Sequence, residues 1–136
     1  MITEDYVSLE TARLLKDKGF RCVTNRYYNA QYDEIRTVSD TFMMDWNDVE
    51  RMKKLGMAGA ISIPTLQMVM KWLRVVKNIQ IEISIVGEED KNHKVEKWVY
   101  GFRIQTTDII DRHLATFTSY EEAANAAILY ALENLI

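Results

Sequence analysis

The sequence contains very few of the residues that crosslink, kink or break a chain. Of its 136 residues, one is cysteine, one is proline and five are glycine. A lone cysteine, Cys22, allows no intramolecular disulfide, which excludes the small disulfide-held secreted folds. The glycines are scattered and form neither a phosphate-binding loop nor a dinucleotide-binding fingerprint. We therefore expect no cofactor.

The sequence also lacks a long apolar run and an excess of basic charge. Charged side chains interrupt the first 20 residues, so neither a signal peptide nor a membrane span is expected there. The chain has 17 basic and 20 acidic residues, a formal net charge of −3, which provides no general attraction for a polyanion. We expect a cytoplasmic protein with no membrane association, and nucleic acid is disfavoured as a partner.

What is present is enough apolar material for one core. Hydrophobic residues make up 48% of the chain and charged residues 27%, which is far from the composition of disordered proteins. The length is close to the commonest size of a single domain. The sequence therefore predicts one domain over residues 1–136 that folds without a metal or a disulfide.

Amphipathic periodicity predicts three main helices. The first lies at about residues 8–18, between an N-cap at Ser8 and the terminating Gly19. The second covers about residues 64–77, where apolar residues recur at spacings of three and four, namely Leu66, Val69, Met70, Leu73 and Val76. The third covers about residues 119–135 and begins with a capping box.

Alternating or β-branched segments predict two pairs of strands. The first pair lies at about residues 20–28 and 34–38, and the second at about residues 79–85 and 98–104. With a short helix between residues 41 and 60, the order of elements is α-β-β-(α)-α-β-β-α. The economical packing of this order is an α+β fold, with an antiparallel sheet of about four strands and helices mainly on one face.

The segment at about residues 41–60 is interpreted as an insertion, with Asp45 as the expected N-cap of its short helix. Flexible thioethers beside a tryptophan suit an adaptable binding surface, although filling a gap in the core is the more frequent use of methionine. Either the domain itself covers these side chains, or a partner or second copy does. The predicted contact residues are Met43, Met44, Trp46, Met52 and Met57.

Three segments carry a resemblance to a known family. They are SIPTLQMVMKWLRVVK at residues 62–77, TSYEEAANAAILYALENLI at residues 118–136 and ITEDYVSLETARLLKDKGF at residues 2–20. Together they resemble a family of small uncharacterised proteins encoded by gut Bacteroides-type bacteria and their phages. The resemblance implies a shared fold and a phage or mobile-element origin. It brings no catalytic residue, because the shared motifs are helix caps and helix faces.

Two groups of residues could carry chemistry. Cys22 with His93 or His113 offers a nucleophile and a base, and Asp108, Asp111 and His113 offer ligands for a divalent cation. Cys22 falls in a predicted strand, where a free cysteine usually acts as a small buried hydrophobe. The two aspartates fit turn chemistry and match no defined ligand spacing. We therefore predict no catalytic and no metal-binding residue.

Three further charged or aromatic sets have ordinary interpretations. The acidic run at residues 88–90 is expected to be a solvated hairpin tip. Two basic sets are expected to form solvent-exposed helix faces, namely Lys71, Arg74 and Lys77 in one helix and Arg51, Lys53 and Lys54 in another. Alternating aromatics on one strand could stack bases, but no ribonucleoprotein signature accompanies them: these are Trp98, Tyr100 and Phe102.

Three classes of function follow, in order of preference. The first is a small non-enzymatic accessory protein that acts through contacts with a protein partner or as a homo-oligomer. The second is a nucleic-acid-associated accessory factor that uses the basic helix faces. The third is an enzyme without a recognisable motif. The absence of a catalytic constellation and the methionine-rich segment place the first class ahead.

Overall fold

A computed structural model describes residues 2–136, apart from the side chains of residues 112–115, where the predicted His113 ligand lies. The chain divides into two compact units, Met1–Thr65 and Leu66–Ile136. We call them the N-terminal unit and the C-terminal unit. The single domain expected over residues 1–136 stays a prediction.

The N-terminal unit combines two helices with a small antiparallel sheet. Its elements are α1 (Leu9–Asp17), β1 (Arg26–Asn29), β2 (Glu34–Thr37), a 3-10 turn (Asp40–Phe42), α2 (Val49–Lys54) and β3 (Ile61–Ser62). The strands lie in the order β2-β1-β3, and both pairings are antiparallel. Strand β1 is therefore central, and its side chains reach the core on both faces.

Helix α1 forms where its capping residues predict it. The backbone N–H of Thr11 donates to Ser8 Oγ at 3.2 Å, which satisfies one of the free donors at the start of the helix. After its end, Gly19 adopts φ +90°, a conformation that other residues rarely take. Ala12 and Leu15 then lie fully buried.

The strand predicted at residues 20–28 is shorter in the structure. Only Arg26–Asn29 pairs as a strand, while Phe20 is buried in an irregular segment before it. The helix in the segment 41–60 is also shorter, because Asp48 and not Asp45 caps it through the N–H of Arg51 at 3.2 Å. Strand β3 is too short to produce an alternating pattern and was not predicted.

The C-terminal unit is built on a sheet of longer strands. Its elements are α3 (Leu66–Val76), β4 (Gln80–Glu89), β5 (Val95–Gln105), β6 (Ile110–Phe117) and α4 (Tyr120–Asn134). The strands lie in the order β4-β5-β6 and pair antiparallel. Helix α4 contacts all three strands and also packs against α3, so the two helices form one layer.

Helix α3 confirms four of its five predicted core positions. Leu66, Val69, Met70 and Leu73 are buried, whereas Val76 is 59% exposed. Val76 is the last residue of the helix, just before the chain turns at Asn78 with φ +55°. The stripe therefore ends one turn earlier than periodicity indicates, and Trp72 is buried in addition.

Helix α4 confirms the capping box. The N–H of Glu122 donates to Ser119 Oγ at 3.1 Å, and the Glu122 carboxylate accepts from the Thr118 hydroxyl at 2.7 Å. Strand β6, in contrast, was not predicted, because its residues carry no apolar alternation. Its pairing with β5 shifts register between Tyr100 and Phe102, and such an irregularity hides a strand from pattern analysis.

The fold is α+β with antiparallel strands, as predicted. The strands of the described residues are divided between two three-stranded sheets, whereas the sequence predicts about four strands in one sheet. The difference arises because β1 pairs with β2 and with the short strand β3, which together form a separate sheet in the N-terminal unit.

Candidate protein-contact surface

The structure buries two of the five predicted contact residues in the core of the N-terminal unit, and the other three are half-buried. Trp46 and Met52 are 4% and 1% exposed and form a cluster with Tyr27 and Ala60. Met44 and Met57 pack against this cluster, and Met43 is half-buried. The side chains of Trp46 and Met52 are thus covered by their own unit.

Trp46 is fixed by both its ring and its polar atom. The indole stacks on the ring of Tyr27, with 3.9 Å between ring centroids and 16° between planes. Its Nε1 donates to the backbone carbonyl of Thr24 at 2.9 Å. A buried indole that satisfies its only donor in this way is a structural side chain.

Asn47, the next residue, ties three distant segments together. Its Nδ2 donates to the carbonyl of Phe20 at 2.8 Å, and its Oδ1 accepts from the N–H of Ser62 at 2.9 Å. Ser62 Oγ in turn accepts from the N–H of Trp46 at 3.1 Å. Asn47 is 3% exposed, so these bonds replace water for groups that would be costly to bury unpaired. The segment 41–60 is therefore an integral part of this unit's core.

Cys22 and His93, the possible nucleophile and base, lie in different units. Cys22 lies in an irregular segment of the N-terminal unit, half-buried, and burial raises the pKa of its thiol above the usual value. His93 lies in the turn between β4 and β5, with Nδ1 at 3.2 Å from Glu89 Oε2. A raised thiol pKa lowers the fraction of nucleophilic thiolate.

The two aspartates proposed as metal ligands have other partners. Asp111 accepts from the Tyr130 hydroxyl at 2.8 Å, and this hydrogen bond raises the pKa of Tyr130. Asp108 is exposed in a turn where its N–H donates to Thr106 Oγ1 at 3.3 Å. Leaving aside the undescribed side chains, no group of three or more His, Cys, Asp or Glu residues could hold a metal ion.

Two polar depressions occur in the described surface, one in each unit. The first, of about 560 Å³, lies between residues 3–7 and Arg26, whose guanidinium is 3.7 Å from the centre of the Tyr6 ring. The second, of about 380 Å³, lies where α3, the turn before β6 and the end of α4 meet. In it, Asn78 Nδ2 donates to Thr107 Oγ1 at 2.8 Å. Polar residues make up most of the lining of each depression.

The three aromatics of β5 lie on one face of the sheet but differ in cover. Phe102 is 5% exposed and stacks on Phe117 at 6.0 Å between centroids, Tyr100 is half-buried, and Trp98 is 54% exposed. Their cross-strand partners on β4 follow the same trend, from the half-buried Ile83 to Ile85, which is 54% exposed. The helical layer therefore covers only the inner part of this face.

We call the uncovered part the outer ribbon and define it as residues 85–89 of β4 and 95–98 of β5. Gly87 shapes its surface, because a Cβ at this position would lie 2.8 Å from Val95 Cγ2 and 3.2 Å from the Trp98 ring. Trp98 and Val95 thus lie over the glycine. With Ile85 they form an apolar patch directly on the sheet.

Charged side chains border this patch without entering it. On the opposite face, Lys97 Nζ lies 3.3 Å from Glu88 Oε2, and at the tip Glu89 faces His93. The described part of the patch is apolar at its centre and charged at its edge, which is the arrangement typical of protein interfaces.

The basic rows are exposed, as expected for helix faces. Lys71 and Arg74 lie on the exposed side of α3, and Lys77 Nζ is 5.5 Å from the Trp72 ring centre. On the sheet, Arg103 forms an ion pair with Glu82. Arg103, on the sheet face opposite the aromatics, is therefore already paired with an acid.

The lengths of the strands and helices explain why the outer ribbon is uncovered. Strands β4 and β5 have 10 and 11 residues, so each spans about 33 to 36 Å at the usual rise of a strand. Helices α3 and α4 have 11 and 15 residues, which corresponds to about 16 and 22 Å. The helical layer is too short to cover the strands from end to end.

Comparisons with protein-family models, with curated proteins and with solved structures each find no match. The resemblance to the Bacteroides and phage family therefore stays a prediction. Among the residues described, no helix combines the length and apolar character needed to cross a bilayer.

Proposed function

We propose that this chain is a small non-enzymatic accessory protein that acts through protein–protein contacts, and that the outer ribbon is its contact surface. The observation that carries the proposal is the apolar patch of Ile85, Val95 and Trp98, which are 54%, 44% and 54% exposed on a single sheet face. Large apolar side chains grouped on a surface are costly to leave in water and mark interaction sites.

The composition of the patch also supports a contact role. An exposed tryptophan offers a large rigid surface at a small cost in side-chain entropy, and tryptophan is enriched among residues that dominate binding energy. The other face of the ribbon carries the ion pair between Lys97 and Glu88. One face of the ribbon is therefore charged and the other is apolar.

A nucleic-acid role is the second candidate from the sequence, and the geometry favours it less. Of the three alternating aromatics, Phe102 is buried and cannot stack on a base. The neighbouring Arg103 pairs with Glu82, which lowers its attraction for phosphate. A phage or mobile-element origin, implied by the resemblance, is compatible with an accessory protein and remains part of this proposal.

A capture experiment with a matched control tests the proposal. The native chain, the double variant Ile85→Ser/Trp98→Ser and the control Val23→Ser/Phe42→Ser are immobilised and exposed to a lysate of the source cells. Val23 and Phe42 are 51% and 66% exposed in the N-terminal unit, so the control removes similar apolar area elsewhere.

We expect at least one protein, the chain itself included, to be retained by the native chain and the control but lost by the ribbon variant. Identical retained sets for all three would contradict the proposed contact surface. Circular dichroism of each variant checks that the fold is intact. We expect an intact fold, because exposed substitutions usually change stability by less than about 0.5 kcal/mol.

A further inference from the structure

We infer that the partner of this surface is a second copy of the chain, joined edge to edge through β4 in an antiparallel, two-fold arrangement. The inference rests on the proposed function and names its partner. It starts from the fact that, within the described pairing, β4 is bonded only to β5, so its other edge presents free backbone N–H and C=O groups.

Strand β4 lacks most of the features that usually protect such an edge. Natural edge strands are kept from pairing by charged side chains, especially lysine, and by proline, bulges or short length. Strand β4 has ten residues and contains neither lysine nor proline. Its charges are three glutamates, two of which lie at the bulge Glu88/Glu89 near the end. The edge is therefore regular from residue 80 to residue 88.

The other edge strands are poorer candidates. In the N-terminal sheet, β2 has only four residues and β3 only two, which is too short for more than one or two pairs of backbone hydrogen bonds. In the C-terminal sheet, β6 has eight residues, and its pairing with β5 changes register between Tyr100 and Phe102. Among the described strands, β4 is thus the longest edge and is regular over residues 80–88.

The register centred on Ser84 pairs the whole regular stretch of β4, residues 80–88, with itself. Ser84 then lies opposite Ser84 of the second copy, Ile83 opposite Ile85, Glu82 opposite Val86 and Gln80 opposite Glu88. Glu82 and Glu88 both face uncharged residues, and the isoleucines of the two copies meet on the apolar face. Moving the two-fold axis to Ile85 would place Glu82 opposite Glu88, which is unfavourable. Moving it to Ile83 would place residues 87 and 88 opposite residues that precede the strand.

The same pairing supplies cover for the outer ribbon. Since α3 leads directly into β4, antiparallel pairing brings the α3 side of one copy beside the Ile85 end of the other. The exposed surface of α3 carries Val75, which is 69% exposed, and the cations Lys71 and Arg74. Apolar area would meet apolar area, and the α3 cations would lie near the acidic residues 88–90 of the second copy.

Closed two-fold pairing is also the commonest form of self-association. It uses the same edge in both copies and leaves no further β4 edge exposed, so assembly stops at the dimer. An open arrangement of β4 on a different edge would instead continue into a fibre.

The test exploits the residue placed on the two-fold axis. Ser84 is exposed and lies opposite Gly101 of its own sheet, so Ser84→Glu and Ser84→Lys each fit the monomer. In the dimer each places like charges opposite one another. We expect each variant alone to dimerise at least roughly fivefold more weakly than the native chain, from the size of cross-strand charge effects.

A mixture provides the decisive result. Equal amounts of Ser84→Glu and Ser84→Lys place opposite charges on the axis, so the mixture is expected to dimerise at least as well as the native chain. Sedimentation velocity over a range of concentrations measures all four samples. The control Gln105→Glu, exposed on the central strand β5, is expected to dimerise like the native chain.

Three outcomes overturn the inference. They are a native chain that stays monomeric up to about 100 µM, a Ser84→Glu variant that dimerises as well as the native chain, and a mixture no stronger than its two components. In each case, retention of a different protein that depends on Ile85 and Trp98 would leave the proposed function standing. If neither dimerisation nor retention of a different protein is observed, both the inference and the proposed function are wrong.

Discussion

Trp46 and Trp98 are both tryptophans near short loops, yet the two regions that contain them differ in how far they are covered. Trp46 is 4% exposed, stacked on Tyr27 and hydrogen-bonded through its indole nitrogen. Trp98 is 54% exposed over a glycine at the outer ribbon. In the methionine-rich segment that suggested a contact surface, Trp46 and Met52 are buried, whereas the strand that suggested core continues into an exposed surface.

Trp46 and Trp98 show that the number of apolar residues in a segment does not indicate whether these residues are covered. Around Trp46, Asn47 draws three segments together, so even irregular backbone becomes core. Around Trp98, regular strands extend past the helices that cover them. Cover is a property of neighbouring elements and of their relative lengths.

Truncating the two tryptophans, one at a time, should give the largest difference in the free energy of unfolding. Trp46→Ala should lower the free energy of unfolding by about 3–5 kcal/mol, as for other buried tryptophans, because it leaves a cavity beside Tyr27. Trp98→Ala should lower it by less than about 1 kcal/mol. Urea denaturation followed by circular dichroism measures both, and equal costs would contradict the assignment of one region as core and the other as surface.

The next effect concerns the polar link of the core. Asn47→Ala removes the buried hydrogen bonds that the Ser62 N–H and the Phe20 carbonyl make with this side chain and should cost about 2–4 kcal/mol. Asn92→Ala, in the exposed turn between β4 and β5, is the matched control and should cost under about 0.5 kcal/mol. If the two variants unfold at the same urea concentration, Asn47 does not stabilise the N-terminal unit.

The residues show how far the sequence could predict this fold. Ser8, Ser119 and Glu122 identify their helices because a cap depends on local hydrogen bonds alone. The alternation around Ile83 identifies β4, because this pattern also depends only on neighbours in the sequence. The role of Asn47 could not be predicted, because it depends on Phe20 and Ser62, which are distant in the sequence and reach it only through the tertiary fold.

The position of the proposed contact surface could not be predicted from the sequence. The predicted strands at residues 79–85 and 98–104 end where the outer ribbon begins, and methionine content alone pointed to residues 41–60. The position of the patch on the outer ribbon depends on Gly87, whose missing side chain allows Trp98 to lie on the sheet. Such a packing relation appears only in three dimensions.

A smaller effect is expected at Gly87 itself. Gly87→Ala places a Cβ within 3.0 Å of both methyl groups of Val95, so these side chains must move and stability should fall by about 1–2 kcal/mol. The double variant Gly87→Ala/Val95→Ala removes the clash and should recover most of the loss in urea denaturation. No recovery would show that the strain lies elsewhere, for instance at Trp98.

The smallest effect concerns Cys22. Burial, followed by the nearby charge of Asp45, raises the pKa of this thiol, so at neutral pH it carries less thiolate in the folded chain than in the unfolded one. Labelling by a thiol reagent at pH 7 should therefore be slower in buffer than in concentrated urea, and should accelerate as the pH rises. Equal rates in both solvents would show that the folded environment does not protect Cys22.

The bond from the N–H of Val7 to the carbonyl of Pro64, at 3.0 Å, joins the two ends of the N-terminal unit, and an isolated bridge between Tyr6 and Thr65 adjoins it. Contacts of such sequence separation require a large loop to close before they stabilise anything, which slows folding. During synthesis, this unit therefore cannot complete its sheet until its final residues have left the ribosome. The hairpin of β4 and β5, built from adjacent segments, carries no such delay.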